Sequence, residues 1–202
     1  MHAVISVFAD RAIGMVVLIW VGTTALALFP EYAVPPALRL LALVLALGFA
    51  VAALLLPLLG RVLPTDGHPV VVKLRLALRS YRAHGRAIPQ AILLSLVIHM
   101  IQSWIHLILG RALQIDIPFS YCLIIYPLVG VFSALPISLN GIGLREGGYL
   151  FMLGIIGITS EKGIAFGLLL FLIVAVDNLL GGIVFLLKRS PKPAAMMTEV
   201  EP

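Results

Sequence analysis

Hydrophobic positions along this chain fall in long unbroken runs and do not alternate with polar ones. Leu40 to Gly60 holds no charged residue, and Gly163 to Leu187 holds only Asp177. Runs of this length cross a hydrocarbon core of ~30 Å when wound as helices. The alternation that a membrane β-barrel needs is missing. The pattern therefore predicts an all-α, polytopic transmembrane helical bundle. Full spans are expected at about 13–29, 37–60, 89–110, 118–139 and 163–187, with a shorter apolar half-helix near 146–158. Pro35, Pro36, Pro64, Pro89 and Pro118 fall in or at the edges of the joints, where a missing amide does least harm. The membrane domain is expected over 1–189, followed by a disordered cytoplasmic tail over 190–202 with too little hydrophobic patterning to fold.

Composition strengthens this picture. The chain is 61% hydrophobic and 11% charged, against roughly 45–50% and ~25% in soluble domains. The net charge of +5 is not a nucleic-acid footprint, because the basic residues cluster near span ends. With the Arg61–Arg86 loop in the cytoplasm, both termini are cytoplasmic, provided that the half-helix counts as a crossing. Arg11, Arg61, Lys73, Arg75, Arg79, Arg82, Arg86, Lys188, Arg189 and Lys192 are then inside, and Arg39, Arg111 and Lys162 lie near the outer ends. The expected location is the cytoplasmic membrane. Ile13–Thr24 followed by Ala25-Leu26-Ala27 resembles a signal sequence, but Asp10 beside Arg11 leaves no positive leading region. The single cysteine, Cys122, allows no intrachain disulfide.

Two stretches stand apart from the apolar runs. Between His68 and Arg86, helical winding puts Arg75, Arg79, Arg82 and Arg86 on one arc, with Val71, Leu74, Leu78 and Tyr81 on the neighbouring arc. This suits a helix on the cytoplasmic membrane surface, its arginines among anionic headgroups; the alternative is a solvated loop. The second stretch is LPISLNGIGLREGG, Leu135 to Gly148. Pro136, Gly141 and Gly143 break the fourth span, and ~13 residues after the break reach only about 20 Å. A half-helix starting at membrane depth would present the positive end of its dipole, with exposed amides and Arg145 beside it. That is an anion site, and a lipid phosphate is the anion available there. The alternative is a cytoplasmic loop in which Arg145 follows the charge bias and Glu146 caps the next helix. As a nucleotide motif the stretch fails, since Gly141, Gly143 and Gly147 are one residue out of register and no strand precedes them.

PISLNGIGLREGG resembles the P-x-S-x-x-G-x-G-x-R-E signature of the lysylphosphatidylglycerol synthase transmembrane-domain family, flippase-like integral membrane proteins. SVFADRAIGM is similar to that family's D/E-R-x-x-G element, and the resemblance runs from Ser6 to about Arg189. Family members carry further spans before the D/E-R element, so the chain looks like the C-terminal portion of the domain, implying a partner protein or missing N-terminal spans. The resemblance implies binding or moving a polar lipid headgroup, with Pro136, Ser138, Gly141, Gly143, Arg145 and Glu146 at the site; Asn140 lies within the same stretch. No aminoacyl-transferase domain follows Pro202, so no enzyme activity is expected. The runner-up function is a non-transporting scaffold for an envelope glycosyltransferase or lipid-modifying enzyme.

Polar residues inside the spans add candidates. Ser95, His99, Gln102, Ser103 and His106 project to one side of the third span. Interhelical hydrogen bonding is their expected role, with lining of a headgroup path as the alternative. His99 and His106 are about 10 Å apart along a helix, and no third ligand is evident, so neither a metal nor a cofactor is expected. Asp177, beside Asn178, is costly in lipid unless protonated or paired. It suggests proton coupling, with Arg145, His99 or His106 as candidate partners. Gly163/Gly167 and Gly181/Gly182 suggest close packing within the chain.

Overall fold

The computed structural model describes residues 2–62, 87–134 and 143–187. Among these residues every regular element is helical: α1 (His2–Leu28), α2 (Pro36–Val62), α3 (Ala87–Ala112), α4 (Phe119–Ser133), α5 (Leu144–Ile155) and α6 (Ser160–Leu187). α1, α2, α3 and α6 are long and apolar enough to cross a membrane. The chain is thus a helical, multi-pass membrane protein, with large apolar side chains such as Leu40, Leu54, Leu93 and Ile108 exposed on its surface. In lipid those faces meet acyl chains, so their exposure carries no penalty. Helix–helix association must then come from close packing and polar contacts.

The largest departure from the sequence expectation is in the fourth segment. Its helix stops at Ser133, with Ala134 as the cap, short of the expected 139. Fifteen residues at ~1.5 Å each reach about 22 Å, and the twelve of α5 about 18 Å. Both fall short of the ~30 Å hydrocarbon core. Even so, this short helix is the centre of the bundle: α4 packs on α1, α3 and α5. Tyr121, Cys122, Ile124 and Ile125 are completely buried.

Glycines permit the close approaches. A Cβ on Gly22 of α1 would lie 2.8 Å from the Pro127 Cβ on α4, so the two helices meet there with no room for a side chain. Gly163 and Gly167, at the start of α6, lie against Leu150 and Glu146 of α5, as expected for packing within the chain. Gly181 and Gly182 have nothing within 4 Å of where a Cβ would stand. They belong to a second compact unit, Leu168–Pro202, separate from the bundle of Met1–Gly167. The described part of that unit is the continuation of α6.

One end of the bundle is tied together by polar contacts between loops. The Arg39 guanidinium donates to the carbonyls of Leu26 (2.9 Å), Pro30 (3.1 Å), Tyr32 (2.6 Å) and Val34 (3.3 Å). It thereby satisfies the open C-terminus of α1 and fixes the turn into α2. Tyr32 and Ser120 share a hydroxyl–hydroxyl bond of 2.6 Å. The Lys162 ammonium donates to the Gln114 carbonyl at 2.8 Å. The three connections around 29–35, 113–118 and 156–159 therefore lie at the same end.

Candidate functional site: the start of α5

α5 begins at Gly143, whose φ of +85° is a left-handed conformation suited to glycine. Three residues on, the Glu146 carboxylate accepts the Gly143 N–H at 2.6 Å. This is the returning half of a capping box; a glycine has no side chain to supply the other half. Glu146 is pressed from behind by α6, where a Cβ on Gly167 would stand 3.1 Å from the Glu146 Cα. Arg145 is half-buried beside it. The helix start thus holds a carboxylate and a guanidinium together, with part of the dipole's positive end already met by Glu146. It is a mixed-charge polar site and not a bare anion hole.

One turn further along the same face, Tyr149 is buried. Its hydroxyl lies within electrostatic reach of both Arg145 and Glu146. Tyr149 and His106 Nε2 are 2.6 Å apart. His106 Nδ1 lies 2.7 Å from the Gln102 carbonyl, and a carbonyl can only accept. Nδ1 therefore carries the hydrogen, and the neutral ring accepts from the Tyr149 O–H at Nε2. His99 is the mirror case. Its Nε2 donates to the Gly14 carbonyl at 2.9 Å, leaving Nδ1 to accept from Tyr126 at 2.9 Å. Two histidines on one helix are thus held in opposite tautomers, each by a backbone carbonyl and each facing a tyrosine hydroxyl.

These partners account for every ring nitrogen. Each hydrogen-bond chain ends at one side on a backbone carbonyl, of Gln102 or of Gly14. Tyr126 bridges the two histidines by ring contact, 5.8 Å from His99 and 5.0 Å from His106 between centroids. Phe166 closes the cluster at 5.9 Å from His106 and 5.2 Å from Tyr149. Ser103, fully buried, donates to the His99 carbonyl at 3.0 Å.

Of the residues singled out from sequence, Gly143, Arg145 and Glu146 come together at the start of α5, with His106 one bonded step behind. Gln102 contributes its backbone carbonyl to that chain. Pro136, Ser138, Asn140 and Gly141 lie outside the described residues, as do Arg75, Arg79, Arg82 and Arg86, expected at the membrane surface, and the tail over 190–202. Asp177 and Asn178 are exposed on α6, in the second unit. Among the described residues no three His, Cys, Asp or Glu side chains gather as a metal site would need.

Sequence reasoning did not pick out Tyr126, Tyr149 or Tyr121, whose hydroxyl donates to the Met152 carbonyl. The available signal was position. Tyrosines in membrane helices favour the interfacial belts, so one in mid-run needs an internal partner for its hydroxyl.

Compared with known proteins, the chain matches the family profile described as the lysylphosphatidylglycerol synthase TM region over residues 1–181. No significant match was found among curated proteins or among solved structures. With nearly its whole length matched, the chain belongs to the lysylphosphatidylglycerol synthase TM region family.

Proposed function

We propose that this protein binds a polar lipid by its headgroup at the start of α5 and moves it across the cytoplasmic membrane. Membership of a family of lipid-related membrane regions supports lipid handling in general. The observation that carries the finer reading is the α4–α5 pair. α4 at the centre of the bundle and α5 packed against it are both too short to cross the bilayer alone, and α5 opens on Gly143, Arg145 and Glu146. Irregular backbone at membrane depth is tolerated where protein or a water-filled cavity covers it. Half-helix N-termini facing a substrate are a recurring transporter device. Arg145 would meet the lipid phosphate, with remaining first-turn amides beside it, and Pro136, Ser138, Asn140 and Gly141 precede it in sequence. In this reading the chain performs no bond-making chemistry. The arginines at 75, 79, 82 and 86 would hold anionic headgroups at the cytoplasmic surface, with both termini on that side.

The test is translocation of fluorescent phosphatidylglycerol and phosphatidylcholine in proteoliposomes, read by quenching from outside. Arg145→Ala should slow phosphatidylglycerol by at least about tenfold, the equivalent of ~1.4 kcal/mol and the low end for a lost charged hydrogen bond. Protein abundance in the vesicles should be unchanged. Wild-type rates in Arg145→Ala would return the stretch to a simple loop. A scaffold role is the second reading, favoured by the exposed Asp177 and Asn178 on the apolar α6, groups that a partner helix could satisfy. Co-purification of a lipid-modifying enzyme, with no lipid movement by the pure protein, would support it.

A further inference from the structure

We infer that His106 and Tyr149 are a positioning pair for the polar start of α5: their hydrogen bond sets the rotation of that short helix, and so the direction in which Arg145 and Glu146 face. The lipid-related consequence rests on the headgroup reading above; the positioning itself does not.

Three observations carry the inference. The first is the backbone at the two ends of α5, where glycine takes a left-handed conformation. The helix has only twelve residues and lies between glycines in left-handed backbone, Gly143 and Gly157. The second is periodicity. Arg145 and Glu146 precede Tyr149 by four and three positions, so all three project from one face, continued by Met152 and Leu153, which are buried. Holding the Tyr149 hydroxyl in place holds that face. The third is the direction of the bond. Because His106 Nδ1 is committed to the Gln102 carbonyl, only Nε2 is left for α5, and it can only accept. A phenol is the matching donor, and a phenylalanine of nearly the same shape offers nothing.

The other contacts of α5 leave this role open. Tyr121 bonds to the Met152 carbonyl, near the far end of the helix. Gly148 against Val129, Gly163 against Leu150 and Gly167 against Glu146 are van der Waals approaches. They fix how near the neighbouring helices lie, and a hydrogen bond adds the direction that such contacts lack. The 2.6 Å bond to His106 is a directional contact from α3 to α5.

The experiment reads position and function separately. Nitroxide labels are placed on Ile101→Cys, exposed on α3, and Gly147→Cys, where nothing lies within 4 Å of the added Cβ. Both are made in a Cys122→Ala background, since Cys122 is the only native thiol. Paired-label distances are measured in vesicles. The parent should give one narrow distribution. Tyr149→Phe and His106→Phe should each shift or broaden it, and the double variant should do no more than either single. His106→Gln, which places an acceptor oxygen close to Nε2, should restore the narrow distribution and guards against mere misfolding. An unchanged narrow distribution in Tyr149→Phe overturns the inference, as does failure of His106→Gln to differ from His106→Phe.

In parallel, Tyr149→Phe should lower phosphatidylglycerol translocation about threefold to twentyfold, the range of interhelical hydrogen bonds in membranes. Selectivity over phosphatidylcholine should fall as in Arg145→Ala. If Arg145→Ala has no effect on lipid movement, the headgroup reading fails, and the label distances still decide whether the pair positions α5.

Discussion

At Gly22 a single hydrogen is all the interface with α4 has room for, and this makes the position a sharp probe of the bundle. Gly22→Val should destabilise the protein by ~1–3 kcal/mol, the usual cost of overpacking, read as a lower unfolding midpoint in detergent. Gly48, exposed on α2 with open space where a Cβ would go, is the control: Gly48→Ala should stay within about 0.5 kcal/mol. Arg39 shows how little a charge count says about a charge. From sequence it was one cation near an outer end. In the fold its guanidinium fans out to four carbonyls. Arg39→Lys should recover only part of the stability lost in Arg39→Ala, because one ammonium cannot reproduce the fork.

At the level of elements, the runs that hydropathy delimits are the helices observed, apart from their ends. α3, expected at 89–110, runs Ala87–Ala112, and the half-helix expected near 146–158 is Leu144–Ile155. Hydropathy carries the fourth span past Ser133 because Leu135, Ile137 and Leu139, outside the described residues, keep the run apolar, and hydropathy is blind to hydrogen bonding. Pro136 carried the missing signal, since it removes an amide and disfavours helix at the preceding residue. Less legible was which helix would be central. Burial of α4 depends on which neighbours offer glycines at matching heights, as Gly22 does to Pro127 and Gly148 to Val129. At the site, Arg145 and Glu146 were visible as an adjacent pair, whereas the bond from Tyr149 to His106 joins residues 43 apart in sequence. The two left-handed glycines around α5 allow a comparison. Gly143→Ala and Gly157→Ala should each cost ~1–2 kcal/mol through φ alone, with open space around both. Translocation should fall only for Gly143→Ala, which lies at the polar start.

For the whole molecule, the contacts from Tyr32 to Ser120 and from Lys162 to Gln114 gather three connections at one end of the bundle. If the basic loop before Arg86 faces the cytoplasm, that end faces out. Asp116→Cys in a Cys122→Ala background should then react with an impermeant thiol reagent added to intact cells; labelling only after the membrane is opened would reverse the orientation. The central place of so short a helix as α4 also bears on biogenesis. α1, α2 and α3 can each enter lipid on their own merits. α4 cannot match the bilayer alone, at about 22 Å against ~30 Å. Two of the three helices that seat it, α1 and α3, leave the ribosome before it, and α5 follows. Synthesis order and burial order therefore largely agree: most of the walls are in place before their centre arrives. A chain in which α4 preceded α1 would have to hold that helix at the membrane surface until its neighbours were made.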